Sequence, residues 1–365
     1  MDTKITVCVP TKPQVKYEVL IGEGTITRLG RTLKKILKAH RATVVSNHDI
    51  WTWHGQELDD SLRAAGLSFD LIEVPEGEAY KSLDTLAMIY QALVEIKALR
   101  NEPIVAFGGG VIGDLAGLAA ATYMRGVPFV NVPTTLLAMA DSSVGGKTGV
   151  DLPAGKNLIG AFYQPSAVLA DVSFLSTLPA QEYAGGMAEI IKMAALEGDE
   201  AFSALERDTA ALREREPAAI IKALAKAVRF KANIVASDEM DKSGVRATLN
   251  LGHTLAHALE ADAEYRDYSH GEAVATGLVF AAELSRRLGY GDDRMVERLI
   301  KMLKGFELPA TAGLKSVDKI MSIMKMDKKR DERGIVFVLL DGFGKPLVEP
   351  VSSREVKEVL KGAKE

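Results

Sequence analysis

Residues 104–117 read IVAFGGGVIGDLAG. Ile104–Phe107 is a short apolar run that enters three consecutive glycines, and a helix-like segment follows from Val111 to Tyr123. A brief apolar run bounded by glycine reads as a strand, and a strand handing over directly to a helix is half of a βαβ unit. Parallel strands need such crossovers, so this stretch predicts a mostly parallel sheet covered by helices.

The same alternation extends outward from it. Upstream, Ile5–Val9, Tyr17–Ile21, Ala42–Ser46 and Phe69–Val74 read as strands, and Thr27–Ala39, 49–65 and Ser82–Ala98 as helices. Downstream, Phe129–Val132 reads as one more strand. The texture changes near Leu178-Pro179. Gln181–Glu197, Ala218–Val235, His253–Ala261, Glu272–Leu288, Arg294–Lys304 and Val317–Met326 are helix-like, and a strand signal returns only at Ile335–Leu340. The expectation is therefore α/β plus all-α: a Rossmann-like, mostly parallel sheet domain over residues 1–179 and a mainly helical domain over 180–365. The segments 141–157 and 238–246, rich in Gly, Asp, Ser and Lys, read as loops, and loops beyond strand carboxyl ends are the usual ligand sites of such sheets.

Gly108, Gly110 and Gly113 match G-x-G-x-x-G between a strand and a helix, where glycine lets a pyrophosphate approach the backbone and the helix N-terminus. A glycine turn kept for packing is an equal alternative. The run falls well inside the chain, and Pro133 stands where the ordinary fingerprint has an acidic residue after the next strand. Gly145-Gly146-Lys147-Thr148 is no P-loop, because the first glycine of that motif would fall on Asp141.

Three of the six histidines, His253, His257 and His270, lie within eighteen residues. His253 and His257 are four apart on a predicted helix and share a face. They read either as hydrogen-bonded core residues or as metal ligand and general base. The segment lacks H-E-x-x-H, so a carboxylate ligand must come from elsewhere. Glu189 stands in the apolar run Gly186-Met187-Ala188-Glu189-Ile190-Ile191-Lys192, where a lone carboxylate needs a partner. Either a metal or Lys192, three residues on, meets that need.

Composition sets the outer limits. The 365 residues are 47% hydrophobic and 26% charged, with 45 basic and 49 acidic residues and a net charge of −4. No basic excess points to nucleic acid or an anionic membrane. A single cysteine, Cys8, allows no internal disulfide or thiolate cluster. No apolar run reaches membrane-spanning length and no secretory leader is expected, so a cytoplasmic location is expected.

The blocks GGGVIGDLAG (108–117), YMRGVPFVNVPTTLLAMADSSVGGKTGVD (123–151), GKNLIGAFYQP (155–165), GGMAEIIK (185–192), LNLGHTLAHALE (249–260) and HGEAVATG (270–277) together closely resemble the 3-dehydroquinate synthase family of sugar phosphate cyclases. The resemblance spans nearly the whole chain. It implies NAD and one divalent metal, zinc or cobalt, as cofactors, a small sugar phosphate as substrate, and a homodimer. It places Glu189, His253 and His270 as metal ligands. Asn47, Glu78 and Lys81 would lie on the adenosine side of NAD. Gly109, Gly110, Val111 and Asp114 would meet the pyrophosphate and nicotinamide ribose, with Thr134, Thr135, Leu137, Asp141, Ser142, Lys147 and Lys156 as further cofactor contacts. Arg125, Asp141, Lys147, Asn157, Lys192, Lys231, Arg246, Asn250, His257 and Lys328 or Lys329 would bind substrate. Of these, Lys147, Lys192, Arg246, Asn250 and His257 are expected to act in catalysis, His257 by moving a proton.

The implied reaction converts 3-deoxy-D-arabino-heptulosonate 7-phosphate to 3-dehydroquinate and phosphate, the second step of the shikimate pathway. It runs through transient oxidation at C5, phosphate elimination, re-reduction, ring opening and aldol closure. The chain departs from the family pattern at Ala256, where glycine is common. It departs again at 238–246, which is one residue longer and carries Asp241 in place of glutamate. Related cyclases acting on glucose 6-phosphate or sedoheptulose 7-phosphate, a metal-dependent polyol dehydrogenase, and a non-catalytic protein on the same fold are the competing readings.

Overall fold

The computed structural model describes residues 15–263, 268–311, 313–314, 316–326, 330–331 and 334–362. The strand expected at Ile5–Val9, Cys8 with it, and the expected substrate residues Lys328 and Lys329 lie outside the described residues.

The first half alternates strand and helix as β1 (Glu18–Gly22), α1 (Leu29–Leu37), β2 (Arg41–Ser46), α2 (His48–Ala64), β3 (Ser68–Glu73), α3 (Leu83–Glu95), β4 (Ile104–Gly108), α4 (Gly110–Thr122) and β5 (Phe129–Pro133). A hairpin follows, β6 (Lys147–Leu152) with β7 (Gly155–Phe162), and then β8 (Ala167–Asp171). Six strands form one parallel sheet in the order β1-β8-β5-β4-β2-β3. β4, β5 and β8 are buried along their whole length, which is why their sequences are apolar without alternation.

The chain runs from β2 outward to β3, then returns past β2 to β4. That reversal opens a crevice at the carboxyl ends of β2 and β4, the position where parallel sheets bind ligands. Ser46, the last residue of β2, donates its hydroxyl to the Phe107 carbonyl on β4 at 2.7 Å and pins the floor of this crevice.

The second half is mostly helical: α5 (Ala180–Glu197), α6 (Asp199–Arg213), α7 (Pro217–Ser237), α8 (His253–Asp262), α9 (His270–Arg287), α10 (Asp293–Gly305), α11 (Val317–Met326) and α12 (Ser353–Gly362). A small antiparallel sheet joins β9 (Arg330–Asp331), β10 (Gly334–Leu340) and β11 (Pro346–Val351). No described helix is long and apolar enough to cross a membrane.

The structure corrects several sequence readings. The segment 141–157 is not an open loop. It comprises the end of a π-helical turn (Ala138–Ser142) and much of the β6–β7 hairpin. The hairpin pairs only with itself and packs over α4, where Gly117 meets the Thr148 methyl. Its glycines and exposed polar residues hide the alternation that marks a half-buried strand. β8, α6, β11 and α12 were also not expected: the first and third are short strands, and the two helices are polar on average. Ala-Val-Leu-Ala-Asp is only five residues long, and α6 averages polar despite its buried Phe202, Leu205 and Leu212. The predicted helix at Thr27–Ala39 begins as a 3-10 turn over Thr25–Arg28.

Candidate metal and cofactor site

Helices α5, α8 and α9 bring the three expected metal ligands together through close contacts at glycine. Gly185 and Gly186 lie one turn before Glu189 on α5. A Cβ on Gly186 would come within 2.6 Å of the Leu136 side chain, and one on Gly271 within 2.0 Å of the Gly185 Cα. α5 therefore sits backbone-to-backbone against α9, beside the segment following β5. Gly277 meets the Gly252 carbonyl in the same way, and Gly252 adopts φ +80° at the start of α8. Ser269 and Glu272 form a capping box that fixes the first turn of α9, so His270 is its first residue. Gly271→Ala should force α5 and α9 apart. We expect a lower unfolding midpoint, from overpacking worth about 1–3 kcal/mol, together with weaker metal binding. Both are read by thermal melts with and without metal.

The three donors meet at Glu189. His253 Nε2 lies 3.5 Å and His270 Nε2 3.7 Å from Glu189 Oε1. One ligand atom from each of the three residues falls within 4.8 Å of the others. Two donors bound at about 2.0–2.2 Å to one tetrahedral ion stand roughly 3.4 Å apart, so these separations fit a divalent cation. Glu189 is 1% exposed, and Lys192 Nζ approaches Oε2 at 2.5 Å. Neither carboxylate oxygen receives a properly directed hydrogen bond from the described residues. A buried carboxylate with Lys192 against Oε2 and two imidazole nitrogens facing Oε1 is what a metal would complete. Each histidine has its other nitrogen engaged: His253 Nδ1 lies 3.1 Å from the Leu251 carbonyl, and His270 Nδ1 3.3 Å from Glu260 Oε1.

Electrostatics separate the two histidines. Burial, followed by the Lys192 charge, pushes His253 down to about 3. Burial also opposes charge on His270, but Glu189 and Glu260 outweigh it and raise the ring to about 9. Glu189 is held well below the ordinary carboxylate range, because Lys192 and the imidazoles overcome its desolvation.

The other predicted residues form a web of charges around this centre. Lys231 on α7 donates to the Asp141 carbonyl at 2.6 Å and pairs with its carboxylate at 2.9 Å. Lys81 pairs with Asp114 at 2.5 Å and donates to Asn157 Oδ1 at 2.6 Å. Lys156 lies 3.3 Å from Glu78 and 3.2 Å from Glu260. Lys147 pairs with Asp241 at 2.7 Å. Arg246 is 3% exposed and donates to the carbonyls of Glu239 and Gly145. Asn250 donates to the Ala247 carbonyl at 3.1 Å. His257 is exposed, its ring edge-on to His253 at 5.5 Å. This departs from the reading of a buried histidine pair, because α8 turns that part of its face outward.

At the sheet, Asn47 caps α2 by accepting from the Ile50 amide. Gly109 is the N-cap of α4, Gly110 and Val111 are its first residues, and Asp114 follows one turn later. Cβ atoms on Gly109 and Gly110 would stand 3.1 Å from Thr135 Cγ2 and 3.2 Å from Ser142 Oγ. Thr134, Leu137 and Ser142 lie in the same segment beyond β5, and the buried Thr134 hydroxyl finds no partner among the described residues. Arg125 is not brought to this group within one chain. It is exposed, with φ +66°, in the turn between the end of α4 and the start of β5, at the opposite edge of the sheet from the glycines.

Two buried carboxylates of this region were not among the expected site residues. Glu260 is 3% exposed and touches both His270 and Lys156. Its position seven residues after His253, two helical turns along the same face, was the available signal. Asp238 was noted only as part of a loop pattern, yet it organises that loop. Its Oδ1 accepts from the Lys242 and Ser243 amides at 2.8 and 3.2 Å, and its Oδ2 from the Arg246 amide at 3.2 Å. Burial favours the neutral acid, but these backbone donors outweigh it and hold the carboxyl well below the ordinary range. A depressed carboxyl contributes stability that is complete above its unfolded value, about 3.9, and that drains away as pH falls through the folded one. The stability gap between wild type and Asp238→Asn, measured by urea unfolding, should be constant above about pH 5 and shrink below about pH 4.

An α/β sheet domain, a helical half and an imidazole–carboxylate cluster facing the sheet's carboxyl edge define the class, a two-part fold for a nucleotide and a metal. Two family descriptions match in succession: 3-dehydroquinate synthase N-terminal over residues 71–185 and 3-dehydroquinate synthase C-terminal over 186–330. The chain belongs to the 3-dehydroquinate synthase family of sugar phosphate cyclases. Among solved structures, ValA, a 2-epi-5-epi-valiolone synthase from Streptomyces hygroscopicus subsp. jinggangensis 5008 with NAD+ and Zn2+ bound, is 27% identical. That match covers 98% of this chain and 99% of the other, with a TM-score of 0.88. A 2-deoxy-scyllo-inosose synthase complexed with carbaglucose-6-phosphate, NAD+ and Co2+ is 28% identical over 94% of this chain and 96% of that one, with a TM-score of 0.86. Maleylacetate reductase from Agrobacterium tumefaciens, 16% identical with a TM-score of 0.69 over 97% and 98% of the two chains, shares the fold alone.

Proposed function

We propose that the protein is a 3-dehydroquinate synthase using NAD and one divalent metal, zinc or cobalt. The observation that carries this reading is the meeting of Glu189, His253 and His270 in a chain whose two halves both match that family. When bound, the metal would polarise the C5 oxygen of the heptulosonate phosphate and NAD would accept and return the hydride.

The chain's own residues supply position and charge. Lys147, Lys192 and Arg246 would hold phosphate and carboxylate by charge-assisted contacts. The 238–246 loop reaches the segment that leads into the β6–β7 hairpin at two points: Asp241 meets Lys147, and Arg246 reaches the Gly145 carbonyl. Lys231 fixes Asp141 at the carboxyl edge of the sheet, and Asn250 sits just ahead of α8. His257, exposed beside His253, would pass a proton between substrate and solvent. In the same proposal, residues 1–179 hold NAD, residues 180–365 hold the metal and most of the substrate contacts, and the enzyme is a cytoplasmic homodimer.

A second reading, a cyclase for another sugar phosphate, is favoured by the similarity to the valiolone and inosose synthases. Incubation with NAD and zinc or cobalt, offering heptulosonate phosphate, glucose 6-phosphate and sedoheptulose 7-phosphate separately, distinguishes them. Phosphate release and a carbocyclic product are expected with the heptulosonate alone, without accumulation of NADH. Turnover of either other sugar would reassign the substrate. NADH without phosphate would make the protein a polyol dehydrogenase.

A further inference from the structure

We propose that Glu260 is a positioning residue for the metal centre, orienting His270 so that its Nε2 faces the ion. The inference rests on the reading of Glu189, His253 and His270 as metal ligands, and it is independent of which sugar phosphate is the substrate.

Glu260 is 3% exposed on α8, where an ionised carboxylate is costly unless it is partnered. Its Oε1 has two partners from elsewhere in the fold: His270 Nδ1 on α9 at 3.3 Å and Lys156 Nζ on β7 at 3.2 Å. The carboxylate accepts only, so His270 must present Nδ1–H to it. The opposite nitrogen, Nε2, faces Glu189 Oε1 3.7 Å away, where it would offer its lone pair to a bound ion. His253 solves the same problem differently, with its Nδ1 held by the Leu251 carbonyl at 3.1 Å and its Nε2 facing Glu189. The two rings thus share one arrangement, but His270, at the first turn of a helix, has no backbone carbonyl in that role among the described contacts and uses a buried side chain instead. A carboxylate behind a ligating imidazole sets its tautomer and makes it a better donor to the metal.

Lys156 explains why the carboxylate stays charged and in place. It spans Glu260 and Glu78, so the hairpin above α4 is tied both to the helix carrying His253 and to the loop after β3. Glu260 stands where two helices and the hairpin meet, and its single oxygen is shared between the ligand and the tie.

The test is metal binding by the full-length protein without substrate. Cobalt affinity is measured by competition with a chromophoric chelator, alongside the visible spectrum of bound cobalt and the melting temperature of the metal-free protein. Glu260→Ala should weaken cobalt binding by about 10- to 100-fold and alter the cobalt spectrum. Glu260→Gln, nearly the same shape, keeps an oxygen that accepts from Nδ1–H and should fall between wild type and alanine. It also decides the matter if the alanine variant does not fold. Cobalt affinity and spectrum unchanged in the glutamine variant, and in alanine if folded, even with a lower metal-free melting temperature, would make Glu260 a structural residue and overturn the proposal. A wild-type protein that binds no cobalt would instead remove the metal site itself.

Discussion

Glu189→Gln is expected to strip the protein of its metal and to lower turnover by about a thousandfold or more, since polarisation of a substrate oxygen by a cation is worth several kcal/mol and each 1.4 kcal/mol is tenfold in rate. The substitution also leaves Lys192, 2% exposed, without its counter-charge. Breaking a buried pair from one side costs about 3–5 kcal/mol, so the single variant should melt earlier as well. Adding Lys192→Met separates the two effects. The double variant should recover stability, because no unpaired charge remains in the core, and should recover neither metal nor activity. Metal content by atomic emission, melting temperature and phosphate release together check this. Full metal occupancy in Glu189→Gln would show that the carboxylate serves the lysine alone.

His257→Ala should cut turnover by about 10²–10⁴-fold, the usual worth of a positioned acid or base, while metal content stays near wild type. The prediction follows from placement. His257 shares a face of α8 with His253, but its side chain is exposed where His253 turns toward Glu189. It can therefore exchange protons with solvent without ligating. Replacing an exposed side chain should change the melting temperature little. Loss of metal along with activity would place His257 among the ligands and undo the division of labour.

The parts of this molecule that were legible in its sequence are those whose physics is local. Ile104–Phe107 running into Gly108 identified a parallel strand because a strand buried on both faces must be apolar throughout. The helix carrying Lys231 showed the spacing of one buried face, those carrying Glu189 and His253 read as largely buried, and the pairing of Glu189 with Lys192 followed from their separation of three residues. The β6–β7 hairpin was missed because glycine and polar residues interrupt it and its strands join no larger sheet. Glu260 was missed because its partners lie ten residues ahead and more than a hundred behind, at distances no helical period reports. The close approach of Gly271 to Gly185 is of the same kind: a contact between two helices far apart in sequence. The family resemblance supplied the long-range assembly that periodicity lacks. It placed Arg125 with the substrate, although one chain does not bring that residue to the site.

The most direct test of the whole account is a crystal of the zinc- or cobalt-loaded protein measured at the absorption edge of that metal. The account predicts one anomalous peak, coordinated by Glu189 and the Nε2 atoms of His253 and His270 at about 2.0–2.2 Å. An ion bound elsewhere, with Glu189 still closed on Lys192 and no peak between the two imidazoles, would contradict it.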